Sequence, residues 1–153
     1  MSEVKDGYLA KVPHWSVTAI ESPTSFFEGI ERVLPEATTL FVEGGGVEKD
    51  VIGLLERHAE PGPFIPARGT LWPRTRYFRA KVSPVLLRGL AALAKRHAVP
   101  ELCDHLHLYD GDHALAEWYD AFVDPLLLTE AVPEARVRQL CEITLASYKR
   151  VPM

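Results

Sequence analysis

The dipeptide Asp110-Gly111 restricts the possible folds of this chain more than any other feature, because it lies between two segments in which apolar and polar residues alternate. Asp-Gly favours a type I′ turn, whose central residues both need positive φ. Alternation at period two is typical of a half-buried strand. The stretch CDHLHLYDGDHALAEW, residues 103–118, therefore predicts an antiparallel β-hairpin. A turn at Gly111-Asp112 is the alternative, and either turn keeps the same side chains together on each face.

This alternation divides the polar side chains of the hairpin between two faces. The first face is predicted to carry Leu106, Leu108 and Leu115, with Asp104, His113 and Glu117. The second face is predicted to carry Cys103, His105, His107, Tyr109 and Trp118, with Ala114 and Ala116 opposite the histidines. The apparent cluster of ligands therefore reduces to one cysteine and two histidines.

Cys103, His105 and His107 form the candidate metal set, since residues two apart on a strand can bind one ion and a nitrogen and sulfur set suits zinc. No CxxC or HExxH motif supplies further ligands. The alternative is a polar sheet face on which the imidazoles hydrogen-bond their neighbours and no cofactor is needed. The sequence leaves both alternatives open and assigns no catalytic residue.

Two Ser-Pro pairs predict where helices begin. Ser22-Pro23 and Ser83-Pro84 each combine an N-cap serine with a proline at the first helical position, and apolar residues at helical spacing follow both. A third helical pattern covers residues 47–58. A fourth begins near Pro133 and extends to Tyr148. About four helices are therefore expected.

Strand patterns precede or separate these helices at residues 14–20, 38–43 and 70–82. Strands that alternate with helices are typical of parallel pairing. The sequence therefore predicts a single α/β domain over residues 1–153. We expect a sandwich with a mixed, partly parallel sheet of about five strands, which includes the antiparallel hairpin towards the C-terminus.

The composition places the chain among ordinary globular proteins. It has 153 residues, of which 47% are apolar and 25% are charged. Two cysteines are too few for a disulfide framework, and the N-terminus lacks a secretory pattern. No apolar run is long enough to span a bilayer. We therefore expect a cytoplasmic protein with no membrane partner, and the use of Ala, Leu, Arg and Pro indicates a bacterial source.

Charge is segregated along the chain. Residues 68–96 contain eight Lys and Arg and no acid, whereas residues 97–135 contain nine acids and no Lys or Arg. Within the basic stretch, arginines alternate with aromatic residues, a combination that is enriched in protein interfaces. The predicted binding residues are Trp72, Arg74, Arg76, Tyr77 and Arg79. A protein partner or self-association is expected, and a pI near 5.9 argues against nucleic acid.

The absence of a nucleophile elbow or another extended catalytic motif favours a function in binding. The leading hypothesis is a non-enzymatic accessory module of the adaptor or immunity type. The alternative is a metal-dependent hydrolase that uses His105 and His107 on the strand face. A third hypothesis is a small-ligand pocket under the hairpin.

Overall fold

A computed structural model describes residues 7–62 and 76–152 of the chain. These residues form one seven-stranded sheet in the order β3-β2-β4-β5-β6-β1-β7, and every neighbouring pair is antiparallel. The strands are β1 (His14–Thr18), β2 (Thr39–Gly44), β3 (Arg76–Lys81), β4 (His105–Asp110), β5 (His113–Trp118), β6 (Leu126–Thr129) and β7 (Ser147–Val151). The helices are α1 (Pro23–Val33), α2 (Lys49–Arg57), α3 (Pro84–Ala94), α4 (Val99–Leu102) and α5 (Glu134–Thr144), and a 3-10 turn covers Leu9–Lys11.

The predicted α/β class is confirmed, but the sheet differs from the prediction in two respects. It has seven strands instead of about five in the described residues, packed by five helices instead of about four. It also lacks the parallel pairing that was expected. The strands β1 and β2 do run in the same direction, as a strand–helix–strand unit requires, but β6, β5 and β4 lie between them. The predicted order of strands and helices along the chain is therefore confirmed. The prediction that strands joined by a helix are neighbours in the sheet is wrong for β1 and β2.

Both predicted helix starts are confirmed. The Ser22 hydroxyl accepts a hydrogen bond from the Ser25 N–H at 3.2 Å, and the Ser83 hydroxyl accepts one from the Leu86 N–H at 3.1 Å. Each cap satisfies a backbone donor that the first helical turn leaves without a partner. These helices bury their apolar stripes in one core against one face of the sheet.

The last helix is shorter than its sequence pattern predicts. It ends at Thr144 because Leu145 adopts a left-handed conformation with φ of 57°. Tyr148 therefore lies on a strand, β7, which pairs with β1. Among the described residues no helix is long and apolar enough to cross a bilayer.

The hairpin of β4 and β5 forms, with Gly111-Asp112 as its turn and Asp110 paired with His113. Beyond Tyr109 and Ala114 the register shifts, so that Leu108 pairs with Ala116 and Leu115 is an extra residue. Such a bulge moves every later side chain of its strand to the opposite face.

The predicted faces of the hairpin are therefore wrong for the second half of β5. Trp118 pairs with Leu106 and lies in the apolar core, with its ring 4.9 Å from Phe26. Glu117 pairs with His107 and lies on the face of the histidines. The bulge thus brings a carboxylate and an imidazole together that the sequence pattern separates.

Candidate functional site

The sheet face opposite the helical core carries polar side chains that are nevertheless buried. His107 is 3% exposed, and Glu43 is only 1% exposed. The other buried polar residues of this face include Thr39, His105 and Glu117. Because a buried polar group costs free energy unless it is hydrogen-bonded, the partners of each group reveal its role.

Both imidazoles of β4 accept hydrogen bonds from backbone N–H groups at the end of β5 and just beyond it. Nδ1 of His107 accepts the Trp118 N–H at 3.1 Å, and Nδ1 of His105 accepts the Asp120 N–H at 3.0 Å. A nitrogen that accepts carries no proton, so in each neutral ring the proton lies on Nε2. The two histidines therefore fix the path of the chain as it leaves β5.

His107 is enclosed by aromatic rings. Its ring is stacked on Phe41 with centroids 5.9 Å apart, and the Tyr119 ring lies 4.7 Å away at an angle of 58°. Burial, with a smaller contribution from His105, lowers the pKa of His107 to about 3. His107 is therefore a neutral N–H donor, not a cation, at physiological pH.

The Glu117 carboxylate fixes the N-terminal segment against this face. It accepts the Leu9 N–H at 2.6 Å and the Tyr8 N–H at 3.1 Å, where the 3-10 turn begins. Backbone donors at the start of a helical turn have no partner within the turn, and a carboxylate suits their positive end. A Cβ on Gly7 would lie 2.6 Å from Glu117 Oε1, so glycine permits this close approach.

The N-terminal turn, the hairpin and the loop between β6 and α5 enclose a cleft of about 1010 Å³. Its floor includes His107, Tyr109, Glu117 and Tyr119. Burial and the charge of Glu117 raise the pKa of Tyr109, so that its phenol stays protonated. The floor thus offers aromatic surfaces with O–H and N–H groups at their edges.

Charged groups lie at the rim of the cleft. Arg136 donates to both oxygens of Glu36 at 2.7 and 3.0 Å, which pairs its charge. Asp110, just before the hairpin turn, and Asp112, within it, make no ion pair with the described residues. Lys11 lies on the opposite segment and is likewise not in an ion pair there. The rim is therefore acidic overall.

The predicted metal set is not brought together. Cys103 is 1% exposed and lies in the apolar core, where burial raises the pKa of its thiol to about 12. His105 and His107 share a face but use Nδ1 to accept backbone N–H groups. Within residues 7–62 and 76–152 no three His, Cys, Asp or Glu side chains are grouped so that they could hold a metal ion. Zinc binding stays a prediction.

The predicted aromatic and arginine surface is divided between two faces of β3. The Arg76 guanidinium lies 5.4 Å above the Phe78 ring, on the side of the helical core. Tyr77 and Arg79 alternate with these residues and so face the other way, and Arg79 Nε is 3.5 Å from Glu60. Trp72 and Arg74 lie outside the described residues. Protein binding at these residues stays a prediction.

Comparison with protein-family models, with curated proteins and with solved structures found no match. The functional argument therefore rests on the cleft. Sequence patterns did not reveal three of its residues, Tyr8, Glu117 and Tyr119, because they meet only through the bulge and the N-terminal turn. A glycine followed by a tyrosine, as at Gly7-Tyr8, is too common in sequences to have predicted these cleft residues.

Proposed function

We propose that this protein is a binding module, with no catalytic chemistry of its own, that holds a small organic molecule in the cleft beside the hairpin. The observation that carries the proposal is the cleft itself, about 1010 Å³ with a largely aromatic floor. Ligand pockets typically have volumes of roughly 300–1,000 Å³ and combine apolar walls with a few convergent polar groups. This is the third sequence hypothesis, a pocket at the hairpin, combined with the non-enzymatic role of the first.

The hydrogen bonds of the floor favour binding over catalysis. A general base works best with a pKa near the operating pH, whereas the pKa of His107 is about 3. Both oxygens of Glu117 accept backbone N–H groups and hold the wall of the cleft. Side chains fixed in this way lose little conformational entropy when a ligand binds, which favours affinity.

The alternative of a metal-dependent hydrolase requires a different arrangement. Coordination of an ion through Nε2 would move the ring proton of His107 to Nδ1. That proton would then face the Trp118 N–H, which now donates to the same nitrogen at 3.1 Å. We also propose, as the sequence led us to expect, that the protein has an accessory role, binds a protein partner and belongs to a bacterial cytoplasm.

A thermal-shift screen against a library of small metabolites tests this function. A ligand present at ten times its Kd stabilises the folded state by about 1.4 kcal/mol. For a domain of this size that corresponds to a rise in Tm of roughly 3–6 °C. Compounds that raise Tm are then mapped on the ¹⁵N-labelled protein by amide chemical shifts, and the shifts are expected at the hairpin and at the N-terminal turn.

A matched pair of variants separates the cleft from the rest of the surface. Ala114→Trp places a large ring in the cleft, whereas Ala92→Trp places the same ring on an exposed position of α3. Binding is expected to be lost in the first variant and kept in the second. The proposal fails if no compound shifts the cleft amides, or if the Ala114 variant binds as well as the native protein.

A further inference from the structure

His107 offers a hydrogen-bond donor to the cleft. The residue is 3% exposed, and its ring lines the cleft. Its Nδ1 accepts the Trp118 N–H, so the proton of the neutral ring lies on Nε2. A ligand with an acceptor can bond this donor, whereas a ligand without one displaces water from the donor and gives it no new partner.

Aromatic surfaces surround this donor. The Tyr119 ring lies beside His107, and Tyr109 continues the floor along β4. Tyr8 is 62% exposed and adds its ring to the wall of the cleft. Flat apolar ligands gain from stacked or edge contacts with such rings.

The charges around the cleft disfavour an anion. Glu117 holds a negative charge in the floor, and Asp110 and Asp112 add two at the rim. Against them, the charge of Arg136 is already paired with Glu36, which leaves Lys11 as the unpaired cation of the described lining. A carboxylate or phosphate in the cleft would therefore meet net repulsion.

We infer that the cleft selects a planar aromatic molecule with an uncharged acceptor, such as an amide carbonyl, that accepts the His107 Nε2–H. The inference rests on the proposed function, because it names the class of ligand that the same cleft takes. It goes beyond that function in assigning His107 as the residue that determines specificity, and in excluding anionic analogues.

Three probes of equal size test the inference: benzamide, benzoate and benzamidine. Each has the same ring, but the polar group is neutral, anionic or cationic, and only the first two carry an oxygen acceptor. Titrations of ¹⁵N-labelled protein up to about 10 mM cover the roughly millimolar Kd expected for fragments of this size. Benzamide is expected to shift the amide signals of His107 and Tyr119, and to bind at least about fivefold more tightly than benzoate. Benzamidine has a charge that suits the acidic rim but no acceptor for the His107 donor, so its binding should not depend on His107.

Variants of His107 test the donor itself. His107→Leu removes both nitrogens and is expected to weaken benzamide at least about fivefold while leaving the binding of benzamidine, which has no acceptor, unchanged. In His107→Gln the carbonyl can accept the Trp118 N–H while the amide donates into the cleft, so benzamide binding should be retained. His113→Gln, at the exposed rim, is the matched control. An amide spectrum of each variant shows whether it is folded.

A second pair of substitutions tests the charge argument without touching the floor. Asp110→Asn combined with Asp112→Asn is expected to strengthen benzoate at least about twofold and leave benzamide unchanged. The inference is overturned if benzoate binds as tightly as benzamide, or if His107→Leu binds benzamide as well as the native protein. It is also overturned if His107→Leu weakens benzamidine as much as benzamide. It also falls if benzamide does not shift the cleft amides. When library compounds still bind the cleft, these results overturn the ligand class alone and leave the proposed function intact.

Discussion

Replacement of Glu117 by glutamine tests whether one buried carboxylate holds the N-terminal wall of the cleft. The substitution keeps the size of the side chain but exchanges one oxygen for an NH₂ group. In the native protein the two oxygens accept the N–H groups of Tyr8 and Leu9. In the variant one of these backbone donors meets another donor, while the second keeps a neutral acceptor.

The expected loss of stability follows from these two bonds. A hydrogen bond to a charged group contributes about 1.5–3 kcal/mol against about 0.5–1.5 kcal/mol for a neutral one. A buried donor left without an acceptor costs about 1–3 kcal/mol, and relief of the buried charge offsets part of the sum. We therefore expect the free energy of unfolding to fall by about 2 kcal/mol, which lowers Tm by roughly 4–8 °C.

Urea denaturation followed by circular dichroism measures this loss, and hydrogen exchange of the Leu9 amide locates it. The native amide is buried with its residue 0% exposed, so its exchange should be slow and should accelerate in the variant. Glu142→Gln makes the same chemical change at an exposed position of α5 and should alter stability by less than about 0.5 kcal/mol.

A loss below about 0.5 kcal/mol in the Glu117 variant, together with unchanged exchange at Leu9, would refute the reasoning. It would mean that the N-terminal turn is held by contacts other than the carboxylate. A large loss without faster exchange at Leu9 would also refute it, since the destabilisation would then arise elsewhere in the sheet.

Three further predictions follow from other contacts. Gly7→Ala should cost about 1–3 kcal/mol because its Cβ would lie 2.6 Å from Glu117 Oε1; a double-mutant cycle with Glu117→Gln should show non-additive losses, and additive ones would contradict the contact. Hydrogen bonds to Asp50 and Glu101 raise the pKa of His97, so its stabilising contribution is complete below the unfolded pKa of about 6.5 and is lost as pH rises through the folded pKa. His97→Gln should therefore destabilise the protein more at pH 5.5 than at pH 9 in urea denaturation, and equal losses at the two pH values would contradict the pairing with Asp50 and Glu101. Deletion of Leu115 should leave a folded protein with cooperative unfolding, because the strand pairs on either side of the bulge then join in one regular register; loss of the folded amide spectrum would contradict this.

The local elements of the fold could be predicted because their signals lie within a few residues. The hydroxyls of Ser22 and Ser83 accept backbone N–H groups three residues away, so each cap can be predicted from a short stretch of sequence. The hairpin was predicted for the same reason, since its strands alternate and its turn contains Gly111 at φ of 57°. The α/β class followed from the order of these elements.

The strands β6 and β7 could not be predicted in the same way. Ser147–Val151 overlaps the end of the predicted helix at Tyr148 and becomes a strand through its pairing with β1, more than 120 residues earlier in the chain. Short apolar segments such as Leu126–Thr129 are ambiguous until a neighbouring strand offers hydrogen bonds. The all-antiparallel order has the same origin, because adjacency in a sheet depends on contacts between distant segments.

The sequence by itself determined that helices begin at the two Ser-Pro pairs, that a hairpin turns at Gly111, and that His105 and His107 share one face. The structure places the turn at Gly111-Asp112, the alternative to Asp110-Gly111. Tertiary structure alone decided that Glu117 joins them and that Trp118 enters the core. A single extra residue, Leu115, reverses the faces of the strand that follows it, and the choice between the two registers depends on which one buries Trp118 against Phe26. The register that buries Trp118 also places Glu117 beside His107 in the floor of the cleft. Core packing selects this register, and a local sequence pattern does not contain that information.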